Sequence, residues 1–151
     1  MKIVYKAGGI LNKGFVGQIA YTVCLDKEYE VMDIEFSFDK QRYTTITEEL
    51  KAEVIEACNG EYELKSASDE EITNIVKEMK TEIHTLASMN DVFIGGVHKQ
   101  LTTRHMIFSP EHTSDGCIPQ KSINGVLKIT LVVFNVILDD THYEITLSVN
   151  D

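Results

Sequence analysis

The sequence has few basic residues for its length. Lys and Arg total 14 of 151 residues against 24 Asp and Glu, which gives a formal net charge of −10 and a pI near 4.9. Proteins that hold duplex nucleic acid do so with clustered Lys and Arg, so this balance excludes a duplex-binding function. The charge is also uneven, because residues 48–82 carry 11 acidic and 4 basic residues whereas residues 92–110 contain no acid. We therefore expect one acidic layer and one mildly basic loop.

Signals for membranes and export are also missing. The longest apolar run, residues 126–138, contains Lys128, Thr130 and Asn135 and falls short of the roughly 20 apolar residues that cross a bilayer. The N-terminal residues have no apolar h-region of the kind found in signal peptides. We expect a cytoplasmic protein that does not interact with membranes.

The cysteines give no sign of a disulfide framework. Cys24, Cys58 and Cys117 are odd in number, widely spaced and outside any CxxC pattern, as is typical of reduced thiols in the cytoplasm. The sequence also lacks internal repeats, low-complexity tracts and a linker-like segment. The chain is therefore predicted to form a single domain over residues 1–151.

Two pairs of alternating segments predict β-strands. Residues 126–138 are apolar on both faces, which is typical of a central strand. Residues 142–149 alternate apolar and polar positions, so a hairpin turning at residues 139–141 is the simplest connection between the two segments. Residues 17–25 and 29–38 alternate in the same way, which predicts a second hairpin.

Two capping boxes predict two helices. Thr45 with Glu48 marks the start of a helix that Gly60 would end. Ser68 with Glu71 marks the start of a second helix, whose apolar stripe continues through residue 87.

The order of these elements predicts the fold class. Short strands are expected at residues 91–94 and 103–108, after the helices. Strands followed by helices and then strands indicate an α+β two-layer sandwich, with one mainly antiparallel sheet of about six strands and two helices packed on one of its faces. The other face of residues 126–138 is also apolar, so we expect either residues 109–125 or a second subunit to cover it.

The acid-free segment is the best candidate for a ligand site. It contains Gly95 and Gly96, which would let a ligand approach the backbone. Its side chains are donors suited to phosphate or carboxylate, and we predict that an anionic or nucleotide-like small molecule binds here. No GK[ST] follows the glycines, so this is not a Walker loop. The alternative interpretation is a turn and a solvent-exposed basic strand. The predicted ligand-binding residues are His98, Lys99, Thr103, Arg104 and His105.

Two other chemistries are suggested by the same region. His98, His105 and His112 are spaced seven apart and Cys117 follows, and these are residue types that zinc prefers. The spacing is not that of a zinc finger, and in a strand it would put His98 and His105 on opposite faces. Cys117 near His112 could also pair a nucleophile with a base, but nothing in the sequence fixes their geometry. We therefore predict no metal, no cofactor and no catalytic residue.

Several features of the layout share the pattern of a known family. A predicted hairpin ends at residues 34–38, a helix stops at residues 58–60, an acidic stretch at residues 69–71 starts a second helix, and a hairpin closes the chain. From residue 17 onward this layout resembles the chemotaxis phosphatase domains of the CheX/CheC type. The resemblance implies a sandwich of sheet and helices.

The same family carries its activity on the second helix, as an Asp or Ser, a Glu four residues on and an Asn three residues after that. The corresponding residues here are Asn74, Glu78 and Thr81. Two of these three depart from the family pattern, so the resemblance does not extend to the active-site motif.

No complete catalytic set is apparent, and we predict a cytoplasmic binding or protein-interaction module without catalysis. Two other classes stay open. One is a phosphatase-like or metal-assisted hydrolase that uses Glu78 or the histidine series. The other is an acidic inhibitor that presents its acidic helices to a basic protein partner.

Overall fold

A computed structural model describes residues 1–58 and 67–151, and this part of the chain forms eight strands and two helices. The elements are β1 (Lys2–Leu11), β2 (Gly17–Tyr29), β3 (Val31–Phe38), α1 (Glu48–Ala57), α2 (Asp69–Glu78), β4 (Glu82–Met89), β5 (Val92–Val97), β6 (Thr103–Phe108), β7 (Ile123–Asn135) and β8 (Thr141–Asn150). Neither helix is long and apolar enough to span a membrane.

The strands form two antiparallel sheets of four. One sheet has the order β1-β8-β3-β6 and the other has the order β2-β7-β4-β5. We call them sheet A and sheet B. Strands pair as nested partners, with β1 against β8, β2 against β7, β3 against β6 and β4 against β5. The chain is therefore one long hairpin folded over on itself, which is the topology of a jelly roll.

The core lies between the sheets because nearly every strand alternates apolar and polar residues. In β3 and β8 every second residue points inward and is buried, and β7 behaves in the same way from Leu127 to Val133. Completely buried side chains such as Phe36 and Leu131 each contribute about 1.5–3 kcal/mol through loss of apolar surface from water.

The helices form a separate small cluster at one end of the sandwich. Val54, Ile72 and Val76 are its buried residues. These residues are separate from the core cluster between the sheets, and the Tyr43 hydroxyl beside them donates to the Ile137 carbonyl at 3.4 Å. The expectation that both helices pack on one face of the sheet is therefore wrong, and sheet A instead covers the inner face of β7.

The prediction of a single six-stranded sheet is also wrong, and so are both predicted hairpins. The segments assigned to each hairpin are strands, but β2 and β7 lie in sheet B whereas β3 and β8 lie in sheet A. Only Glu30 separates β2 from β3, so the chain crosses directly between sheets. Between β7 and β8, Val136 and Ile137 are buried, which holds this link across the end of the core.

The tight hairpin of the fold joins β4 to β5 instead. Asn90 and Asp91 both have positive φ angles, of 50° and 65°, which is the backbone of a two-residue turn with the twist that strands require. The Asn90 side chain also accepts from the Val126 amide at 2.8 Å and donates to the Asn124 carbonyl at 3.1 Å. The turn is thereby fixed to β7.

The second helix is shorter than predicted. Its capping box at Ser68 and Glu71 is confirmed, but the helix ends at Glu78 and the next residues form β4. The burial pattern explains this difference, because Ile83, Thr85 and Ala87 are buried at a spacing of two whereas Leu86 points outward. A helix would have buried Leu86 and exposed Thr85.

Of the remaining predictions, the predicted first residue of α1 is wrong and two predicted strands are confirmed. The cap of α1 is Thr47 rather than Thr45, since the Thr47 hydroxyl accepts from the Leu50 amide at 3.1 Å. The predicted end of this helix at Gly60 lies outside the described residues. The strand over residues 103–108 is confirmed as β6, and the strand predicted at residues 91–94 is β5, which extends to Val97.

Candidate functional site

The segment at residues 114–118 closes the open side of the sandwich between the edge strands β5 and β6. The Gly96 amide donates to the Gly116 carbonyl at 3.1 Å, and the Ile118 amide donates to the Ile94 carbonyl at 2.8 Å. On the other side, the Ser114 amide donates to the Ile107 carbonyl at 3.0 Å. This short segment is therefore hydrogen-bonded to both sheets.

Two glycines allow this segment to approach so closely. A Cβ on Gly95 would lie 2.7 Å from the Cys117 sulfur, and Gly116 has a φ of +80° with the Gly96 carbonyl oxygen 2.6 Å from its missing Cβ. Either residues 109–125 or a second subunit was expected to cover the outer face of β7, and residues 109–125 leave it open to solvent. Val126 and Phe134 on that face are 47% and 51% exposed.

A cleft of about 550 Å³ opens beside this segment and the β5–β6 loop. All five residues predicted to bind a ligand contribute to its walls, and Asp115 is the only carboxylate among the described lining residues. Lys99 Nζ lies 3.5 Å from an Asp115 oxygen, and both side chains are largely exposed. The cleft is therefore locally cationic in an acidic protein. Its lining consists of Gly96, Val97, His98, Lys99, Leu101, Thr103, Arg104, His105, Thr113, Ser114, Asp115 and Gly116.

The functional groups of the five predicted residues do not all point into this cleft. Alternation along β6 places Thr103 and His105 outward and Arg104 inward. His105 lies on the outer face of sheet A, where Nδ1 is 3.0 Å from an Asp33 oxygen and Nε2 is 3.4 Å from a Glu35 oxygen. His105 is thus held at the rim of the cleft by carboxylates on the neighbouring strand.

His98 belongs to an aromatic cluster at the opposite rim. Its ring centroid lies 6.0 Å from that of His84, and the His84 ring is 4.5 Å from that of Phe134. His84 Nε2 is also 3.1 Å from a Glu82 carboxylate oxygen. The two predicted histidines therefore lie on different outer faces of the sandwich.

Arg104 is the most unusual residue of the site. It is only 4% exposed, and its guanidinium points between the sheets. Nε donates to the Leu101 carbonyl at 2.8 Å and Nη1 donates to the Ile83 carbonyl, whereas Nη2 has no partner in the described part of the chain. Within the same part, no carboxylate lies within ion-pairing distance.

The Arg104 guanidinium contacts aromatic rings and backbone carbonyls instead of a counter-ion. Cζ of Arg104 lies 5.5 Å from the Phe36 ring centroid and 5.8 Å from that of Phe38, distances at which a cation is attracted to the π faces. Burial lowers the pKa of Arg104 to about 10, and the charge of Glu82 opposes that shift. The interior beside the cleft therefore holds a positive charge that is poorly compensated.

The zinc alternative is not supported by the geometry. His98 and His105 lie on opposite faces, and His112 lines a different cleft of about 680 Å³ together with Glu28, Glu30 and Glu111. Cys117 packs against the core, and burial raises its pKa, which disfavours the thiolate form needed by a ligand or a nucleophile. Across residues 1–58 and 67–151, no group of three or more His, Cys, Asp or Glu could share a metal ion.

The three residues at the positions of the phosphatase motif are also separated in role. Asn74 and Glu78 are exposed on α2. Thr81 lies after the helix and is fully buried, with its hydroxyl accepting from the Ile137 amide at 3.0 Å. Thr81 therefore fixes the link that leads to β8.

Sequence reasoning missed two contributors to this site. One is the segment at residues 114–118, whose role depends on contacts across the fold. The other is Gln100, which holds the β5–β6 loop by donating to the His98 carbonyl at 2.9 Å and to a Glu82 oxygen at 3.4 Å. In the sequence, the sign that Gln100 belongs to this region was its position within the acid-free segment.

Comparison with known proteins identifies the family of the chain. No curated protein and no solved structure matches it. A family match extends over residues 1–151. The chain therefore belongs to a family of unknown function, DUF6669.

Proposed function

We propose that this protein is a cytoplasmic, non-catalytic binding module that takes a small anionic ligand into the cleft beside the β5–β6 loop. The observation that carries the proposal is the buried guanidinium of Arg104, for which the described residues provide no carboxylate partner. A buried charge without a counter-ion is unfavourable, and an anion entering the adjacent cleft would supply one. The three free cysteines fit a reducing compartment.

The rest of the cleft is compatible with such a ligand. Lys99 is 65% exposed at its side chain, and among residues 1–58 and 67–151 its ion-pair partner is the still more exposed Asp115. Pairs of this kind contribute about 0–1 kcal/mol, so Lys99 can exchange Asp115 for a ligand at little cost.

Titration calorimetry with inorganic phosphate, citrate and ATP at low ionic strength tests this proposal. We expect at least one of these anions to bind and Lys99→Ala to weaken its binding about tenfold, the worth of one charge-assisted hydrogen bond. Lys128→Ala removes the same charge from the outer face of sheet B and serves as the matched control. If none of the three anions binds, or if both variants weaken binding equally, the cleft is not an anion site.

A second candidate function is self-association through the outer face of sheet B. Several apolar side chains there are open to solvent, namely Leu86, Phe93, Val126 and Phe134. The outward residues of β7, the strand at the middle of this face, include no acid. Two copies with a net charge of −10 repel each other except at a face with few acids, so a second copy is the occupant that we propose.

Sedimentation velocity over a range of protein concentrations tests the second candidate. We expect a dimer that Phe134→Ser weakens and that Phe15→Ser leaves intact, since Phe15 is also partly exposed but lies in the β1–β2 turn. A monomer at all concentrations would contradict self-association, as would equal effects of the two variants.

A further inference from the structure

Two histidines face each other across neighbouring strands on the outer face of sheet B. The β4–β5 ladder pairs Thr85 with Val97, so the next pair toward the β5–β6 loop is His84 and His98. Their ring centroids lie 6.0 Å apart. Two imidazoles that bind one zinc ion at about 2.0–2.1 Å hold their ring centroids about 5–6 Å apart. A small rotation of the exposed His98 ring therefore lets the pair chelate one metal ion.

The hydrogen bonds around the pair hold it in place and leave ring nitrogens free. His84 Nε2 lies 3.1 Å from a Glu82 oxygen, so Nδ1 keeps its lone pair when Nε2 carries the proton. A histidine that binds a metal commonly donates from its other nitrogen to a carboxylate in this way. Gln100 connects the two strands, because its amide donates to the Glu82 oxygen at 3.4 Å and to the His98 carbonyl at 2.9 Å. The pair is therefore held together by groups of the kind that support metal ligands.

One copy of the chain supplies only part of a closed site. Structural zinc sites have four protein ligands arranged as a tetrahedron. Over residues 1–58 and 67–151, no group of three or more His, Cys, Asp or Glu is placed to hold a metal ion. The two imidazoles are thus half of a zinc site, and a second copy bound across a two-fold axis would supply the same two residues again.

The pair also lies within the face that we propose for self-association. The Phe134 ring is 4.5 Å from the His84 ring, and Leu86, the next outward residue of β4, is 37% exposed. A second copy covering these apolar side chains would exclude water from an ion held between the imidazoles. The nearby outward residues of β7 include no acid that would compete for the ion.

We propose that a zinc ion bridges two copies of the chain across the outer face of sheet B, with His84 and His98 of each copy as its four ligands. This inference rests on the proposed self-association and adds to it a metal site and its ligands. Neutral imidazole is a ligand that zinc prefers, so zinc is the probe.

Sedimentation velocity of chelator-treated protein, without and with zinc chloride in a phosphate-free buffer at neutral pH, tests the inference. Free zinc at about ten times its dissociation constant should raise the association constant of the dimer about tenfold, because the dimer binds the ion and the monomer does not complete the site. Metal analysis of the dimer should give one zinc per two chains. His84→Gln and His98→Gln should each abolish the response to zinc. The controls His142→Gln, on the outer face of sheet A, and Cys24→Ser, which removes the exposed thiol of β2, should keep it.

The possible results separate this inference from self-association itself. A dimer that forms equally well with and without zinc, and that Phe134→Ser weakens, would overturn the zinc bridge and leave self-association in place. One zinc per chain on a monomer would overturn the bridge, as would a full response to zinc in His84→Gln. A monomer under both conditions would overturn both proposals. The comparison with and without zinc uses the wild-type protein, so it does not depend on the folding of any variant.

Discussion

The buried charge of Arg104 leads to an unusual prediction about stability. Burial lowers its pKa from the ordinary value of arginine to about 10, which makes the charged form about 3 kcal/mol less favourable inside the protein than in water. Arg104→Met removes that cost but leaves the carbonyls of Ile83 and Leu101 without donors, at about 1–3 kcal/mol each. The opposing effects nearly cancel, and we expect the free energy of unfolding to fall by only about 0–3 kcal/mol.

Arg104→Lys is expected to be the more damaging change. It keeps a buried charge but cannot donate to both carbonyls with a fixed fork, and it loses the planar contact with Phe36 and Phe38. We expect a loss of about 3–5 kcal/mol, because the ammonium of lysine is more strongly hydrated than the guanidinium that it replaces and costs more to bury without a partner. Urea denaturation of both variants at neutral pH measures the difference, with the exposed Arg42→Met as control. If the Lys variant is the more stable of the two, the charge itself stabilises the interior and the reasoning is refuted.

Three further predictions concern the fold. Thr47→Ala should lower the free energy of unfolding by about 1 kcal/mol in urea denaturation and Thr45→Ala should not, because Thr47 caps α1; equal effects would contradict the assignment. Gly95→Ala should cost about 1–3 kcal/mol in the same assay, since the new methyl group would meet Cys117; a neutral result would mean that residues 114–118 yield readily. Burial and a hydrogen bond to another hydroxyl raise the pKa of Tyr143, so its contribution to stability is complete below the ordinary value of 10.0 and is lost as the pH rises through the raised value. Near-ultraviolet titration should therefore show one tyrosine class that ionises late and is absent from Tyr143→Phe; an unchanged titration would contradict this.

Most strands could be predicted from the sequence, but their partners could not. Alternation in β8 indicates which residues face inward, and the apolar character of β7 indicates an inner strand, and both are observed. A hairpin and a crossing between two sheets require the same alternation, so the pattern cannot distinguish them. The buried Val136 and Ile137 in the link were the local sign that the chain crosses the core there.

The sequence pattern also did not predict the boundary between α2 and β4, for a similar reason. Ile83, Leu86 and Ala87 satisfy a helical spacing as a continuation of α2, yet two of them also satisfy the strand spacing of β4. The decisive residue is Thr85, which is buried without a partner in the described part of the chain. A buried, unpaired threonine is not expected from sequence, since polar residues are normally assigned to the surface.

For the candidate site, the sequence indicated that the five predicted residues lie near each other but not how their side chains are oriented. The five predicted residues line one cleft because they are near neighbours along β5, its loop and β6. Strand alternation then directs His105 to Asp33 and Glu35 and turns Arg104 into the core. The contribution of residues 114–118 depends on long-range hydrogen bonds that no local pattern encodes.

An amide-resolved NMR titration with inorganic phosphate, citrate and ATP in turn tests the central claim most directly, because it reports both binding and location. For at least one of these anions, the account predicts saturable shifts confined to the cleft and the loop, with the largest at Gly96, Lys99, Gln100 and Gly116. Shifts centred on the acidic cleft around Glu111 or on the outer face of sheet B would contradict it, as would no saturable shift at all.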